Sequence, residues 1–484
     1  MDERVTFSWL DYSVVALTLI AFVTLGLSVR LREYTVLQYI AAGRRLSLPL
    51  FVATLVTTWY GGILGVGEAF DFYGLSTWVI LGVPYYVFGV AYALFMAHRV
   101  REDEQISLPE RMERCYGRPT SIVSAFLVLI LGLPAAHIAM MATLAEVTTG
   151  LPYVWSAVIG TLFGTLFLYR GGLLADARAN TLSFVLMYLS FMIMLIIAVA
   201  KFGAPMQLIQ KLPETSRSWD AGQGVFFVLS WFLIGAWTFV DPGFHQRVTS
   251  IRNPDLARKG VLISVLCWMF FDLLTTGVAL YAYSALGSGK GLKLFPLFGD
   301  AVLPSGLKGL FFAGMFGIII SSLVGYTFVS GSTIGRDLIS RAYPKISETK
   351  TVWITRFGVF LATVLGLVFA LLIPSVVYLW YDLGSIAIPG LLLPVFFAYA
   401  TRWRPYPVTA FASMLFGSLG ALTWYLLVTR NPNVDFSSWL ESLAWLSLFR
   451  DKPIWIGLCC ALFAFSIGVL VESRRKRYAQ RFVE

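Results

Sequence analysis

Apolar residues in this chain fall in long unbroken blocks, without the stripe that marks a soluble amphipathic helix. A block of about 20 apolar residues wound as a helix crosses a hydrocarbon layer about 30 Å thick. Lipid offers no partner for backbone N–H and C=O groups, so such blocks must be helical. A membrane barrel would instead show alternating segments of about ten residues, and none occur. The pattern predicts thirteen spans, near 10–29, 46–69, 73–98, 119–148, 151–169, 174–201, 223–244, 258–286, 306–335, 351–374, 376–401, 406–429 and 453–473. Links as short as Gly150-Leu151 and Pro374-Ser375 leave room only for tight turns, so the spans they join run antiparallel.

Two spans carry weak points. The second contains Trp59-Tyr60-Gly61-Gly62-Ile63-Leu64-Gly65-Val66-Gly67, and the seventh contains Gly235-Ala236-Trp237 followed by Asp241-Pro242-Gly243. Glycine weakens a helix and proline removes a backbone donor, so both spans are candidates for interruption. Close packing through small residues explains either span taken alone. Each, however, opens a block of five spans, 2–6 and 7–11, and an odd-numbered block inverts its successor. Paired weak helices in two inverted halves point to a binding site at mid-membrane. The expected fold is therefore an all-α integral membrane fold: 13 transmembrane helices in a 5+5 inverted repeat, with helices 2 and 7 interrupted. Residues 1–45 form the first helix and its link, 46–201 the first repeat and 223–401 the second. Residues 402–484 add two helices and a short basic tail, all in one transmembrane domain.

Composition agrees. The chain of 484 residues is 58% hydrophobic and 13% charged, against roughly a quarter charged in soluble domains. A net charge of +10 would suggest nucleic-acid binding if it formed a basic face, but the basic residues sit in links between apolar blocks. Most fall in alternate links, at Arg30, Arg32, Arg44, Arg45, Arg99, Arg101, Arg111 and Arg114, then Arg247, Arg252, Arg402 and Arg404, and in the tail from Arg474. The positive-inside rule then puts the N-terminus outside and the C-terminus in the cytoplasm, in a plasma or bacterial inner membrane. No signal-peptide cleavage site precedes the first span, which is expected to be retained. Cys115, Cys267, Cys459 and Cys460 lack metal-ligand spacing and read as packing residues. Zinc motifs, Gly-x-Ser-x-Gly and a phosphate loop are absent, which argues against an enzyme.

The residues that stand out chemically are few. Ser321 and Ser322 are adjacent hydroxyls in an otherwise apolar run; alone, such a pair bonds its own i−4 carbonyls or serves close packing. His137 lies in mid-span after Pro134, where an ionisable group is costly and functional by default. Asp382 lies two turns inside the eleventh span, while Glu146 and Asp272 read as interfacial charges. Glu68 and Asp71 are expected at the outer mouth, and Asp241 at the inner vestibule.

The order and spacing of several short motifs resemble the sodium:solute symporter family over nearly the whole chain. They are Asp11-Tyr12, Ala42-Gly43-Arg44, Ser107-Leu108-Pro109-Glu110-Arg111, Arg114-Cys115-Tyr116-Gly117, Gly171-Gly172-Leu173, Gln246-Arg247, and Ile320-Ser321-Ser322 with Asp337-Leu338. The resemblance implies the leucine-transporter fold and sodium-coupled symport of a small organic solute by alternating access. It implies a sodium (Na+) held by the hydroxyls of Ser321 and Ser322 and the carbonyl oxygens of Thr57, Tyr60 and Ile318. Relatives that hold a second sodium use an acidic residue and further hydroxyls; the matching positions here are Asn180, Val324 and Gly325, so one sodium per cycle is expected. The solute is expected between helices 2 and 7, flanked by spans 3, 4, 9 and 11, against Trp59, Gly61, His137, Trp237 and Asp382. Trp59 stands where some relatives carry an acid, which argues against a proline-type solute. The expected partners are the solute and the lipid bilayer, with no nucleic acid and no obligate protein. Proton coupling through His137 and a transporter-like sensor are the competing readings.

Overall fold

The computed structural model describes residues 4–29, 35–165, 168–343, 345–373, 375–401, 403–431 and 446–481. Arg30, Arg32 and Arg402, counted above for orientation, and the turn residue Pro374 lie outside the described residues. Among the described residues, twelve helices are long and apolar enough to cross a membrane. They are α1 (Trp9–Leu27), α2 (Leu48–Tyr73), α3 (Trp78–Glu102), α4 (Arg118–Thr149), α6 (Gly171–Phe202), α7 (Val225–Ser250) and α8 (Pro254–Leu286). The rest are α9 (Leu307–Ser340), α10 (Glu348–Leu372), α11 (Val376–Tyr399), α12 (Pro407–Thr429) and α13 (Pro453–Arg474).

The fifth expected span is described as the apolar helix α5 (Tyr153–Thr165), and the two residues that follow it, 166–167, lie outside the described residues. Gly150 ends α4 in the left-handed region at φ 74°, a conformation open to glycine. The chain thereby reverses into α5 within the short link that the sequence leaves.

Burial separates the centre from the rim. Of the apolar stretch of α2, 83% is buried, and of α9, 89%; for α13 the figure is 17% and for α1 22%. Helices α2 and α9 are therefore the core of the bundle, and the terminal helices face outward. α9 packs against α1, α2, α4, α6 and α10, while α12 and α13 pack on each other and on α11. Small residues permit this density. A Cβ on Gly331 would lie 2.5 Å from Val359, and one on Gly358 2.2 Å from the Gly331 carbonyl oxygen, so α9 and α10 meet backbone to backbone.

Three central helices are interrupted. α2 tightens into a 3-10 turn at Tyr60–Gly62 between α-helical halves Leu48–Trp59 and Ile63–Tyr73. The expected unwinding is thus a single tightened turn. α7 divides into Val225–Gly235, Trp237–Val240 and Pro242–Ser250. Asp241, in an extended conformation, caps the last segment by accepting from the Phe244 amide at 2.5 Å, the usual role of an N-cap carboxylate. α4 breaks at Leu133, whose ψ of 130° is extended, immediately before Pro134 and the segment carrying His137. A residue before proline is pushed out of the helical region.

Candidate functional site

The tightened turn of α2 lies directly on α9. A Cβ on Gly61 would sit 1.6 Å from the Ser322 hydroxyl oxygen, so only glycine admits this approach. At the contact, Ser322 donates to the Thr58 carbonyl at 2.7 Å, with the Thr57 carbonyl at 3.2 Å and the Ile318 carbonyl at 3.4 Å. Ser321 donates to the Thr57 hydroxyl at 3.1 Å, and that hydroxyl donates to the Ala53 carbonyl at 2.9 Å. Thr57, Ser321 and Ser322 are fully buried.

A hard cation replaces its hydration shell with several oxygens, and helix interruptions inside a membrane can supply carbonyls for that purpose. Here three backbone carbonyls gather at the Ser322 hydroxyl, and the neighbouring Ser321 hydroxyl pairs with that of Thr57, all in a dry place. The donor set fits a small alkali ion, with Thr58 as an oxygen the sequence reading did not include. Tyr60, expected to offer its carbonyl, carries its side chain to α8. Its hydroxyl reaches the Trp268 carbonyl at 3.4 Å, and its ring meets Phe271 edge-on.

Beside these oxygens lies a charged cluster. Arg247, 1% exposed, donates to Asp176 at 2.9 Å, to the Thr58 hydroxyl at 2.7 Å, to the Thr54 hydroxyl at 3.2 Å and to the Gly243 carbonyl at 3.2 Å. Asn180 donates to the Thr54 hydroxyl at 2.8 Å and to Asp176 at 3.2 Å. A Cβ on Gly325 would lie 2.6 Å from the guanidinium. Asn180 and Gly325 thus border a protein cation and its carboxylate. Sequence reasoning counted Arg247 as a link charge; it is instead a core residue, because α7 continues past it to Ser250. Asp176 was missed altogether.

On the other side of the α2 turn is a cavity of about 110 Å³. Trp59, Tyr60 and Gly62 line it from α2, Tyr85 and Tyr86 from α3, Leu133 and His137 from α4. Trp237 of α7, Trp268 and Asp272 of α8, Tyr326 of α9 and Trp380 of α11 complete the wall. Trp380 lies flat on α2: a Cβ on Gly62 would come within 2.4 Å of its ring and one on Gly65 within 2.6 Å. Trp59 meets Tyr85 edge-on and tilts over Trp268. His137 stacks on Tyr326 with ring centres 4.8 Å apart, and its buried Nδ1 has no hydrogen-bond partner. Asp241 accepts from the Trp237 indole at 3.1 Å and from the Tyr326 hydroxyl at 3.0 Å, so the cap of the broken α7 also fixes two walls of the cavity.

The structure brings Trp59, His137 and Trp237 together as expected. Gly61 is a correction: it faces Ser322 and the oxygens, while Gly62 faces the cavity. Asp382 is another. It accepts from the Tyr425 hydroxyl at 2.7 Å and pairs with Arg430 at 3.3 Å, outside the cavity, because α12 draws it away from α2. Asp272, taken for an interfacial charge, lies midway along α8 and lines the cavity, where the Tyr86 hydroxyl donates to it. Glu68 accepts from the Val376 and Val377 amides at 2.9 and 3.0 Å, capping α11. Asp71 does the same for the loop amides of Gly289 and Gly291.

At one end of the bundle a second charged group ties the short helix Leu108–Tyr116 to the end of α9. Arg336 pairs with Glu110 at 2.6 Å and with Asp337 at 2.8 Å, and Arg341 pairs with Glu110 at 3.1 Å and with Glu113. Burial would raise the Glu110 carboxyl, but the guanidinium of Arg336, with Arg341 beside it, outweighs burial and holds it below its ordinary range.

Comparison with known proteins places these features. The model of the sodium:solute symporter family matches residues 39–417. The sodium-coupled monocarboxylate transporter 2 of Danio rerio is 23% identical over 72% of this chain and 60% of its own length. The sodium/glucose cotransporter 4 of Danio rerio is 22% identical over 86% of this chain and 69% of its own. The chain thus spans about two thirds or less of these relatives. A sodium-coupled sialic acid symporter, solved substrate-bound and outward-open, superposes with a TM-score of 0.79 at 14% identity, covering 96% of this chain and 98% of that one.

Proposed function

The chain belongs to the sodium:solute symporter family, and from that premise we propose that it couples entry of one sodium ion to uptake of a small organic solute by alternating access. The observation that carries the reading is the Ser322 hydroxyl, which gathers the carbonyl oxygens of Thr57, Thr58 and Ile318 from two helices at one point. On this reading the ion is held by Ser321, Ser322 and the carbonyls of Thr57 and Ile318, with Thr58 added and Tyr60 next in the same turn. Ion binding turns the serine lone pairs inward and joins α2 to α9. The solute then meets a cavity whose α2 wall is already fixed. The guanidinium of Arg247 beside Asn180 and Gly325 supports a stoichiometry of one. The N-terminus is placed outside and the C-terminus in the cytoplasm of a cell membrane, and the transport unit is the single domain of two five-helix repeats.

Coupling is reciprocal, so sodium and solute must tighten one another by the same factor, typically about 5- to 150-fold. The test is thermal unfolding of the purified protein with sodium chloride exchanged for potassium chloride at constant pH. Sodium should raise the midpoint in the wild type and leave Ser322→Ala unmoved. If the wild type does not respond to sodium but does respond to pH through His137, the coupling ion is a proton.

A further inference from the structure

The cavity contains a carboxylate with no cationic partner. Asp272 receives a hydrogen bond from the Tyr86 hydroxyl, with the Tyr60 side chain nearby. Among the described residues no Lys, Arg or His forms an ion pair with it, although Asp176, Asp382 and Glu110 all have one. The described cavity wall carries no Lys or Arg at all. The same cavity is walled by the rings of Trp59, Tyr85, Trp268, Trp380 and Trp237. An ionisable group at this depth is expensive and is retained where it meets a charge or a transported species. Aromatic rings present negative faces, and walls of this kind attract cations.

Resting on the symporter reading and deepening it, we propose that the solute is a small organic cation: an ammonium, with Asp272 as its counter-charge and a compact apolar or aromatic body between the tryptophans. A carboxylate solute would meet Asp272 as a like charge, with no basic side chain in the wall to receive it. A sugar-like solute would leave most of its hydroxyls facing rings. His137, with its unpartnered Nδ1 on the α4 side, supplies one further polar contact for a substituent on that body.

Three probes of one shape and different charge test the assignment: 2-phenylethylamine, 2-phenylethanol and phenylacetate, titrated calorimetrically into the purified full-length protein in sodium chloride. The expected order is amine tightest, by about tenfold or more over the alcohol, with phenylacetate weakest. Asp272→Asn should reduce the preference for amine over alcohol to about twofold or less, whereas Asp382→Asn, outside the cavity, should preserve it. Phenylacetate binding as tightly as the amine, an amine preference that survives Asp272→Asn, or no binding by any of the three overturns the assignment. If Asp272→Asn does not fold, the wild-type order decides. Sodium-induced stabilisation, measured without any probe, reports on the symporter reading separately; its presence alongside a failed order sinks only the choice of solute.

Discussion

At the scale of single residues, the contact of Gly61 with Ser322 leaves no room for change. Gly61→Ala forces a methyl group to within 1.6 Å of the Ser322 oxygen. Overpacking of this kind costs about 1–3 kcal/mol, and the expected outcome is a lower melting midpoint together with loss of the sodium-induced shift. Arg247→Met leaves Asp176 buried without its partner, a change that costs about 3–5 kcal/mol in comparable pairs. Adding Asp176→Asn to that variant should restore most of the loss, which equilibrium unfolding of the single and double variants measures. The serine pair could be read from the sequence because two adjacent hydroxyls interrupt an apolar run. Arg247 could not, because it lies near a predicted helix end, where arginine normally marks topology. The depth of Asp272 was legible: the predicted span 258–286 already centres it, as α8 (Pro254–Leu286) does, and reading it as an interfacial charge was an error of reasoning.

At the scale of elements, the interruptions of α2 and α7 follow from their glycines and proline, yet they take different forms. α2 tightens without unwinding because Gly61 and Gly62 are pressed from opposite sides by Ser322 and Trp380. α7 opens because Pro242 needs an extended neighbour and Asp241 supplies both that conformation and the cap. Asp241→Ala therefore removes a helix cap worth about 1 kcal/mol and also releases the Trp237 and Tyr326 rings. Solute affinity should fall about tenfold or more, while the sodium-induced thermal shift in the absence of solute is retained; binding isotherms with and without sodium separate the two. The break in α4 was not expected. Pro134 was visible in the sequence, but its effect on Leu133 appears only when α4 turns to present His137 to the cavity.

At the scale of the whole molecule, the span pattern was legible because lipid imposes a minimum length on every crossing helix. The charge pattern gave no sign of the pairing among the charges at one end of the bundle. The link between α3 and α4 is clamped to the end of α9 through Glu110, Arg336 and Arg341. Glu110 titrates below its unfolded value, so its contribution is full above the ordinary glutamate pKa of about 4.3 and is lost as pH falls through the lowered folded value. The melting midpoint should therefore fall as the medium is acidified below about pH 4, and Glu110→Gln should start lower at pH 7 and fall less steeply. A pH series of unfolding curves on both proteins decides.

The junction of Gly61 with Ser322 has one more consequence. A backbone that meets a serine side chain through a missing Cβ behaves as a gauge: a displacement of one atomic diameter separates the Ser322 oxygen on one strut from the carbonyls on the other. If sodium is held at this junction as proposed, its release and the parting of the struts are a single mechanical event, and a cation has no route while the junction stays shut. Uncoupled leak, where it arises, should come from lesions that spread this junction and not from those that reshape the chamber behind it.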